Sequence, residues 1–232
     1  MTLHCAECPV KDRAACSALS EDERDELAKS GRSQKLRRGQ ALFHAGQEAD
    51  ACATLVSGAL KVVRSDADGN ERILALIHPA GFVGELFRPF ADYDVVALTD
   101  SELCVFSGNR FDAAIDRHPA LAKALLRRAQ EDLYAGRELL SLAGGGAAST
   151  RVAGLLLALA KAASDSQCHP AGRFDLCLSR SELGNMLGLT IETVSRTIGK
   201  FEKARVIRRE GTRGIELLDP ARLSALAGES PV

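Results

Sequence analysis

Three cysteines stand close together near the start of the chain: Cys5, Cys8 and Cys16, separated by two and then seven residues. A fourth, Cys104, lies within the run Glu102-Leu103-Cys104-Val105-Phe106. Thiolates are soft ligands, and four of them complete either a tetrahedral zinc site or an iron–sulfur cluster. Spacing alone does not choose between the two. His4, beside Cys5, is the one histidine placed as an alternative ligand; His44, His78, His118 and His169 are scattered. Cys52 reads as a small buried strand residue. Cys168 and Cys177 are left over, and nothing around them points to thiol-redox work.

A second set of residues could read a nucleic acid. Ser179 and Glu182 form a capping box that starts one short helix, whose inner face is Leu183, Met186 and Leu187. Gly188 supplies a turn. Thr190 caps a second helix, with Val194, Ile198 and Phe201 facing inward. Two short helices about a tight turn form a helix-turn-helix. Its second helix, starting at about Ile191, presents Glu192, Thr193, Ser195 and Arg196 outward. Arg bridges guanine O6 and N7, Glu accepts from cytosine N4, and Ser adapts to several partners. Lys200, Lys203 and Arg205 would fall near phosphates. The stretch Val206 to Leu218, with a turn from Gly211 to Gly214, reads as a β-hairpin wing that adds Arg209 and Arg213 as phosphate contacts.

These sites need scaffolds, and the sequence pattern supplies three. Short apolar stretches (41–44, 54–56, 60–63, 73–77, 95–98 and 103–106) alternate with Gly and Asp turns, including Asp68-Gly69, and predict an antiparallel sandwich or barrel. After Pro119 the period becomes helical. Leu126, Ala129, Leu133, Gly136 and Leu140 lie on a stripe about seven turns long, which suits a helix–helix seam. Gly144-Gly145-Gly146 ends that helix and makes a hinge. Another helix is expected from a Ser149 cap to about Ala163. The expected organisation is α+β: a cysteine-bearing arm (1–17), a β-roll domain (18–112), a long helix suited to dimerisation (113–143) and a winged helix-turn-helix (144–232).

The chain has 232 residues, 46% of them hydrophobic and 26% charged, which excludes wholesale disorder and allows a sizeable core. Of its 30 Lys and Arg, 12 follow Ser149, against 9 of its 31 Asp and Glu, so basic charge is concentrated at the C-terminal end. No apolar run reaches the roughly 18–20 residues of a membrane span. The first residues lack the basic and apolar regions of a signal peptide, and a cytoplasmic location is expected. Gly-rich phosphate loops, His-Glu-x-x-His and Gly-x-Ser-x-Gly are missing, so no enzyme activity is expected.

Taken together, the glycines of the roll (Gly39, Gly46, Gly58, Gly81 and Gly84-Glu85), the long helix and the winged head resemble the Crp–Fnr superfamily of bacterial transcription regulators. Glu192-Thr193-Val194-Ser195-Arg196 is similar to the recognition helix of the Fnr branch. The resemblance implies that Arg196 contacts guanine while Glu192 and Ser195 read neighbouring bases of a palindrome with half-sites like TTGAT. Such a site implies a homodimer, double-stranded DNA as partner, and contact with RNA polymerase. The cysteines resemble those of Fnr, FnrN and FixK-type oxygen sensors, with the seven-residue gap nearer to FnrN. That implies Cys5, Cys8, Cys16 and Cys104 as ligands of an oxygen-labile 4Fe–4S cluster. A zinc or thiol-redox switch on the same cysteines is the first alternative. A cyclic-nucleotide response is the second, disfavoured because Ala91-Asp92-Tyr93-Asp94-Val95 replaces the family's phosphate-binding Arg segment; Arg88 is the nearest substitute.

Overall fold

The computed structural model describes residues 5–66, 71–164 and 169–228. The expected turn at Asp68-Gly69 lies outside them. The chain forms two compact units, Met1–Ala135 and Gly136–Val232.

The first unit opens with two short 3-10 turns, Cys5–Glu7 and Ala15–Ala18, followed by helix α1 (Glu21–Ala28). Its start is a capping box: the Glu23 amide donates to Ser20 Oγ at 3.3 Å, and the Ser20 amide donates to the Glu23 carboxylate at 2.8 Å. Among the described residues, eight strands follow: β1 (Gly31–Leu36), β2 (Ala41–Phe43), β3 (Ala51–Ser57), β4 (Leu60–Ser65), β5 (Glu71–Ile77), β6 (Phe82–Val83), β7 (Asp94–Ala97) and β8 (Ser101–Ser107). They make two four-stranded antiparallel sheets, ordered β1-β8-β3-β6 and β2-β7-β4-β5. This is the expected roll. The apolar stretches all became strands, while β1 did not announce itself. Its sequence, Gly-Arg-Ser-Gln-Lys-Leu, buries only Leu36, as suits a charged edge strand held by pairing with β8.

The sandwich core contains Leu55, Leu60, Val95, Leu103 and Val105. Strand side chains alternate between faces. Leu103 and Val105 therefore point into the sandwich, while Cys104 and Phe106 join a second apolar cluster with Cys16, Leu19, Leu27, Phe111 and Leu121. That outer cluster joins the cysteine arm, the roll and the helices after it.

The segment 113–143, expected as one helix, is divided. Helix α2 (Gly108–Arg117) ends before Pro119, and helix α3 runs from Pro119 to Gly144. Proline disfavours the helical conformation in the residue before it, and His118 is not helical (φ −124°, ψ 84°).

In the second unit, helix α4 (Ala148–Ala162) supplies a buried spine from Val152 to Ala160. Its N-cap is Ala147 rather than the expected Ser149, and no side chain closes that end. Strand β9 (Arg173–Asp175), helices α5 (Arg180–Leu187) and α6 (Ile191–Lys203), strands β10 (Ile207–Glu210) and β11 (Gly214–Leu217) and helix α7 (Pro220–Ala227) complete it. The hairpin wing is present, but β9 pairs onto it to give the order β10-β11-β9. Three residues of Arg-Phe-Asp are too short to show a period.

Gly84 cannot be replaced cheaply. Its φ is +142°, and an added Cβ would lie 2.7 Å from Cys52 Cβ. Gly84→Ala is expected to destabilise the roll by about 1–3 kcal/mol in chemical denaturation. Cys52 is fully buried, and burial pushes its thiol up to about 12 from the ordinary 9.0. The folded chain thus keeps a proton that the unfolded chain releases above pH 9. This contribution to stability is complete below pH 9 and falls as pH rises toward 12. Cys52→Ala should flatten the alkaline fall in melting temperature.

Candidate metal centre and nucleic-acid interface

The cysteine arm coils by consecutive short-range backbone bonds. The Cys8 amide donates to the Cys5 carbonyl at 3.3 Å, Lys11 to Cys8 at 3.2 Å and Ala14 to Val10 at 2.9 Å. Val10 and Ala14, each 1% exposed, pack with Ala80 of the roll, beside Cys8 and Cys16. These contacts, with those of Ala15 and Cys16 beside Cys104 and Phe106, seat the arm on the roll over β3 and the outward face of β8. All four expected ligands, Cys5, Cys8, Cys16 and Cys104, are half-buried free thiols lining one cavity of about 250 Å³.

Their electrostatics agree with that proximity. Burial pushes the Cys104 thiol up to about 12 and Cys16 to about 11, and it raises Cys5 as well. Charges on the neighbouring cysteines add to each shift; for Cys104 these are Cys8, Cys5 and Cys16. Arg24, which also lines the cavity, works in the opposite sense on Cys5 and Cys16. The sequence reading missed Arg24, although it is the single cation in the acidic helix Glu-Asp-Glu-Arg-Asp-Glu-Leu-Ala. Ser33 and Glu102, hydrogen-bonded at 2.9 Å, close another side.

Four thiols around one space are the soft donor set expected of either a zinc site or an iron–sulfur cluster. A zinc tetrahedron would draw the sulfurs to roughly 3.8 Å from one another. Among the described residues, no three Cys, His, Asp or Glu are gathered closely enough to hold a metal ion. His4, the alternative ligand, and Cys168 lie outside the described residues. Cys177 is half-buried.

A second cavity, about 170 Å³, sits inside the roll. Glu48 and Glu85 are the charged residues of its lining, among Phe43, Phe82, Tyr93 and other mainly apolar groups. Arg88 is turned to Asp92 at 2.5 Å, and the Asp92 amide donates to Glu85 at 3.2 Å. An acidic lining repels a phosphate.

The reading head has the expected caps. The Ser179–Glu182 capping box closes at 3.2 and 2.8 Å, and the Thr193 amide donates to Thr190 Oγ1 at 3.3 Å. An added Cβ on Gly184 would lie 2.5 Å from the Leu189 carbonyl oxygen, so only glycine allows the turn to fold this tightly onto α5. Val194, Ile198 and Phe201 are buried, as expected, and Thr197 joins them. Glu192, Ser195, Arg196 and Lys200 are exposed. The Glu192 carboxyl is held below its ordinary range, first by a backbone hydrogen bond, then by Thr190, with Arg196 adding to the effect. Thr193 is half-buried, and its hydroxyl meets Thr190 Oγ1 at 3.1 Å.

The wing holds much of its charge in internal pairs. Glu216 accepts from Arg173 at 2.9 Å and also from Arg208, and both hold it well below the usual carboxylate range. Arg209 meets Glu202 of α6 at 2.7 Å, and the Arg209 amide donates to the same carboxylate at 3.3 Å. The sequence reading had given Arg209 only to phosphate and had not used Glu202. Arg213 is exposed in the turn between β10 and β11.

Comparison with known proteins follows the same division. Residues 33–118 match a cyclic nucleotide-binding domain, and residues 150–226 match a Crp-like helix-turn-helix domain. The transcriptional activator protein FnrL of Cereibacter sphaeroides is 32% identical over 240 residues, covering 99% of this chain and 97% of its own. The fumarate and nitrate reduction regulatory protein of Vibrio cholerae is 30% identical, covering 98% and 92%.

The chain belongs to the Crp–Fnr family.

Among solved structures, FixK2 from Bradyrhizobium japonicum shares the fold with a TM-score of 0.76 at 24% identity, covering 87% of this chain and 98% of its own. This Crp–Fnr protein is therefore a DNA-binding transcription regulator of the Fnr branch, and its relatives are regulators rather than enzymes. Among the described residues, no helix is long and apolar enough to cross a membrane.

The helical stripe of this regulator is bare. Leu126, Leu133 and Leu140 are 63%, 54% and 69% exposed, Tyr134 is 65% exposed, and Ala129 and Gly136 are exposed between them. On DNA, Arg213→Ala should lower the salt dependence of affinity by about one counterion. Arg209→Ala should change that slope by less, because its guanidinium is bonded to Glu202. Titrations between 50 and 200 mM salt check both; a larger slope change for Arg209 would count against its structural role.

Proposed function

We propose that this chain is an oxygen-responsive transcription activator that holds a 4Fe–4S cluster on Cys5, Cys8, Cys16 and Cys104. It acts as a homodimer on a palindromic operator. The observation that carries this reading is the meeting of four thiols around one cavity, three from a short arm and one from a strand far along the chain. Activators among the relatives, FnrL included, support the direction of control. When bound, the cluster supplies the oxygen-labile element of the switch.

The chain's own residues do the rest. Cys5, Cys16 and Cys104, whose thiols burial holds protonated in the metal-free fold, release protons on loading, so affinity for the group rises with pH. Arg24 offsets part of the thiolate charge. Two exposed Leu stripes would pair across a two-fold axis, removing apolar surface from water at roughly 25 cal/mol per Å². The pair would set two reading heads about 34–36 Å apart, one turn of DNA. Arg196 is assigned to guanine, Glu192 and Ser195 to neighbouring bases, and Lys200 and Arg213 to phosphates. Thr193 is assigned to the helix start, where it supports Arg196, whose Nη2 lies 3.5 Å from its hydroxyl. RNA polymerase is the expected further partner, and the cytoplasm the expected location. The acidic second cavity favours this reading over a cyclic-nucleotide response.

Anaerobically purified protein should contain iron and acid-labile sulfide and show a broad visible absorption that bleaches in air. A colourless protein containing only zinc would move the same four cysteines to a zinc or thiol switch. Cys104→Ser should fold, lose the cluster and bind an Fnr-like palindrome roughly tenfold or more weakly without oxygen. Wild-type anaerobic affinity in that variant would reject the cluster switch.

A further inference from the structure

Helix α3 touches the cysteine arm at a definite last point. Along its first turns, Leu121 is fully buried, and Ala124 and Leu125 pack against the cluster that contains Cys16 and Cys104. One turn further on the same face, Arg128 Nη2 donates to the backbone carbonyl of Arg13 at 3.3 Å. Arg13 lies between Cys8 and Cys16. The other arm of the guanidinium, Nη1, meets Glu131 Oε2 at 3.0 Å. Arg128 is only 25% exposed, whereas every residue from Ala129 to Glu138 is exposed. At 100° per residue, positions 121, 124, 125 and 128 share one face, and 126, 129, 133, 136 and 140 share a neighbouring one. Arg128 therefore sits at the boundary between the anchored part of the helix and the bare stripe, in direct contact with the ligand-bearing arm.

We propose that Arg128, aimed by Glu131, is the positioning residue through which the dimer helix senses whether the cysteine arm is docked. The inference rests on the cluster-and-dimer reading above and adds the connection between its two parts. With the arm seated, the Arg13 carbonyl fixes the helix one turn beyond its apolar anchor, and the stripe is presented in a single orientation. With the arm released, Arg128 loses that acceptor, and the last anchor retreats to Leu125. Dimerisation must then order the helix at its own cost. A fork that bonds two groups at once suits this task, because Glu131 on the same helix holds Nη1 while Nη2 reaches a different segment.

The test is a linkage cycle on the full chain. Dimer dissociation constants are measured by sedimentation equilibrium for cluster-loaded and cluster-free protein, and their ratio gives the coupling. In Arg128→Gln the ratio should fall roughly fivefold or more, because each dimer carries two of these hydrogen bonds. Iron and sulfide content should stay at the wild-type level. Glu131→Gln, which leaves the packing of Arg128 in place, should lower the ratio by a smaller factor, and Arg128→Lys should restore part of it. A wild-type ratio in both Arg128→Gln and Glu131→Gln would overturn the proposal. If Arg128→Gln fails to fold or to load, the ratio in Glu131→Gln decides alone, and an unchanged value there overturns it. A ratio near one in the wild-type protein would instead reject the switch on which the proposal rests.

Discussion

Strand β8 serves two interiors at once. Because successive side chains point to opposite faces, Leu103 and Val105 complete the sandwich core while Cys104 and Phe106 form the floor on which the N-terminal arm lies. A shift of one residue in its pairing with β1 and β3 would put Cys104 into the sandwich and a leucine under the arm. The two sheets and the burial of Leu103 forbid that shift. The fourth thiol therefore lines the same cavity as the other three through sheet register, with Ala15 and Cys16 of the arm and the following Leu19 packed in the cluster above it.

The outer cluster then extends the consequence along the chain. It includes residues of α1, α2 and the first turns of α3, so the cysteine cavity, the roll and the start of the dimer helix share one body. The same helix carries Leu126 on its neighbouring face, and Leu133 and Leu140 beyond Arg128, in water. A monomer that leaves such a stripe uncovered gains by pairing it. The start of the helix thus packs with the cysteine arm, while the exposed stripe follows a neighbouring face of the same helix.

Charge in the second unit is arranged with similar economy. The basic excess after Ser149 is real in sequence, but Glu216 holds Arg173 and Arg208, and Glu202 holds Arg209. These pairs fix the wing against β9 and the recognition helix. The exposed side chains of Glu192, Ser195, Arg196 and Lys200 remain on the outer face of α6, over the buried stripe of Val194, Ile198 and Phe201. Shape in this head comes from its buried apolar core and the tight Gly184 turn, with the charge pairs orienting the wing at its surface.

Local patterns were legible in the sequence wherever the physics is local. The capping boxes at Ser20 and Ser179, the buried face of α6, the apolar strands of the roll and the exposed leucine stripe all follow from side chains a few residues apart. Edge strand β1 and the three-residue β9 were not legible, because pairing with distant segments decides them, whereas the break between α2 and α3 follows locally from Pro119. Ser149 had the chemistry of a cap, yet the helix begins one residue earlier, where Ala147 takes the N-cap place. The sequence by itself determined four cysteines, a helix-turn-helix and an apolar helical stripe. Only the tertiary structure decided that those four thiols share a cavity with Arg24, that Arg209 is bound to Glu202, and that Arg128 reaches the arm. Each of these meetings joins residues whose partners are set by the register of strands and the seating of helices, which no spacing within a short window encodes.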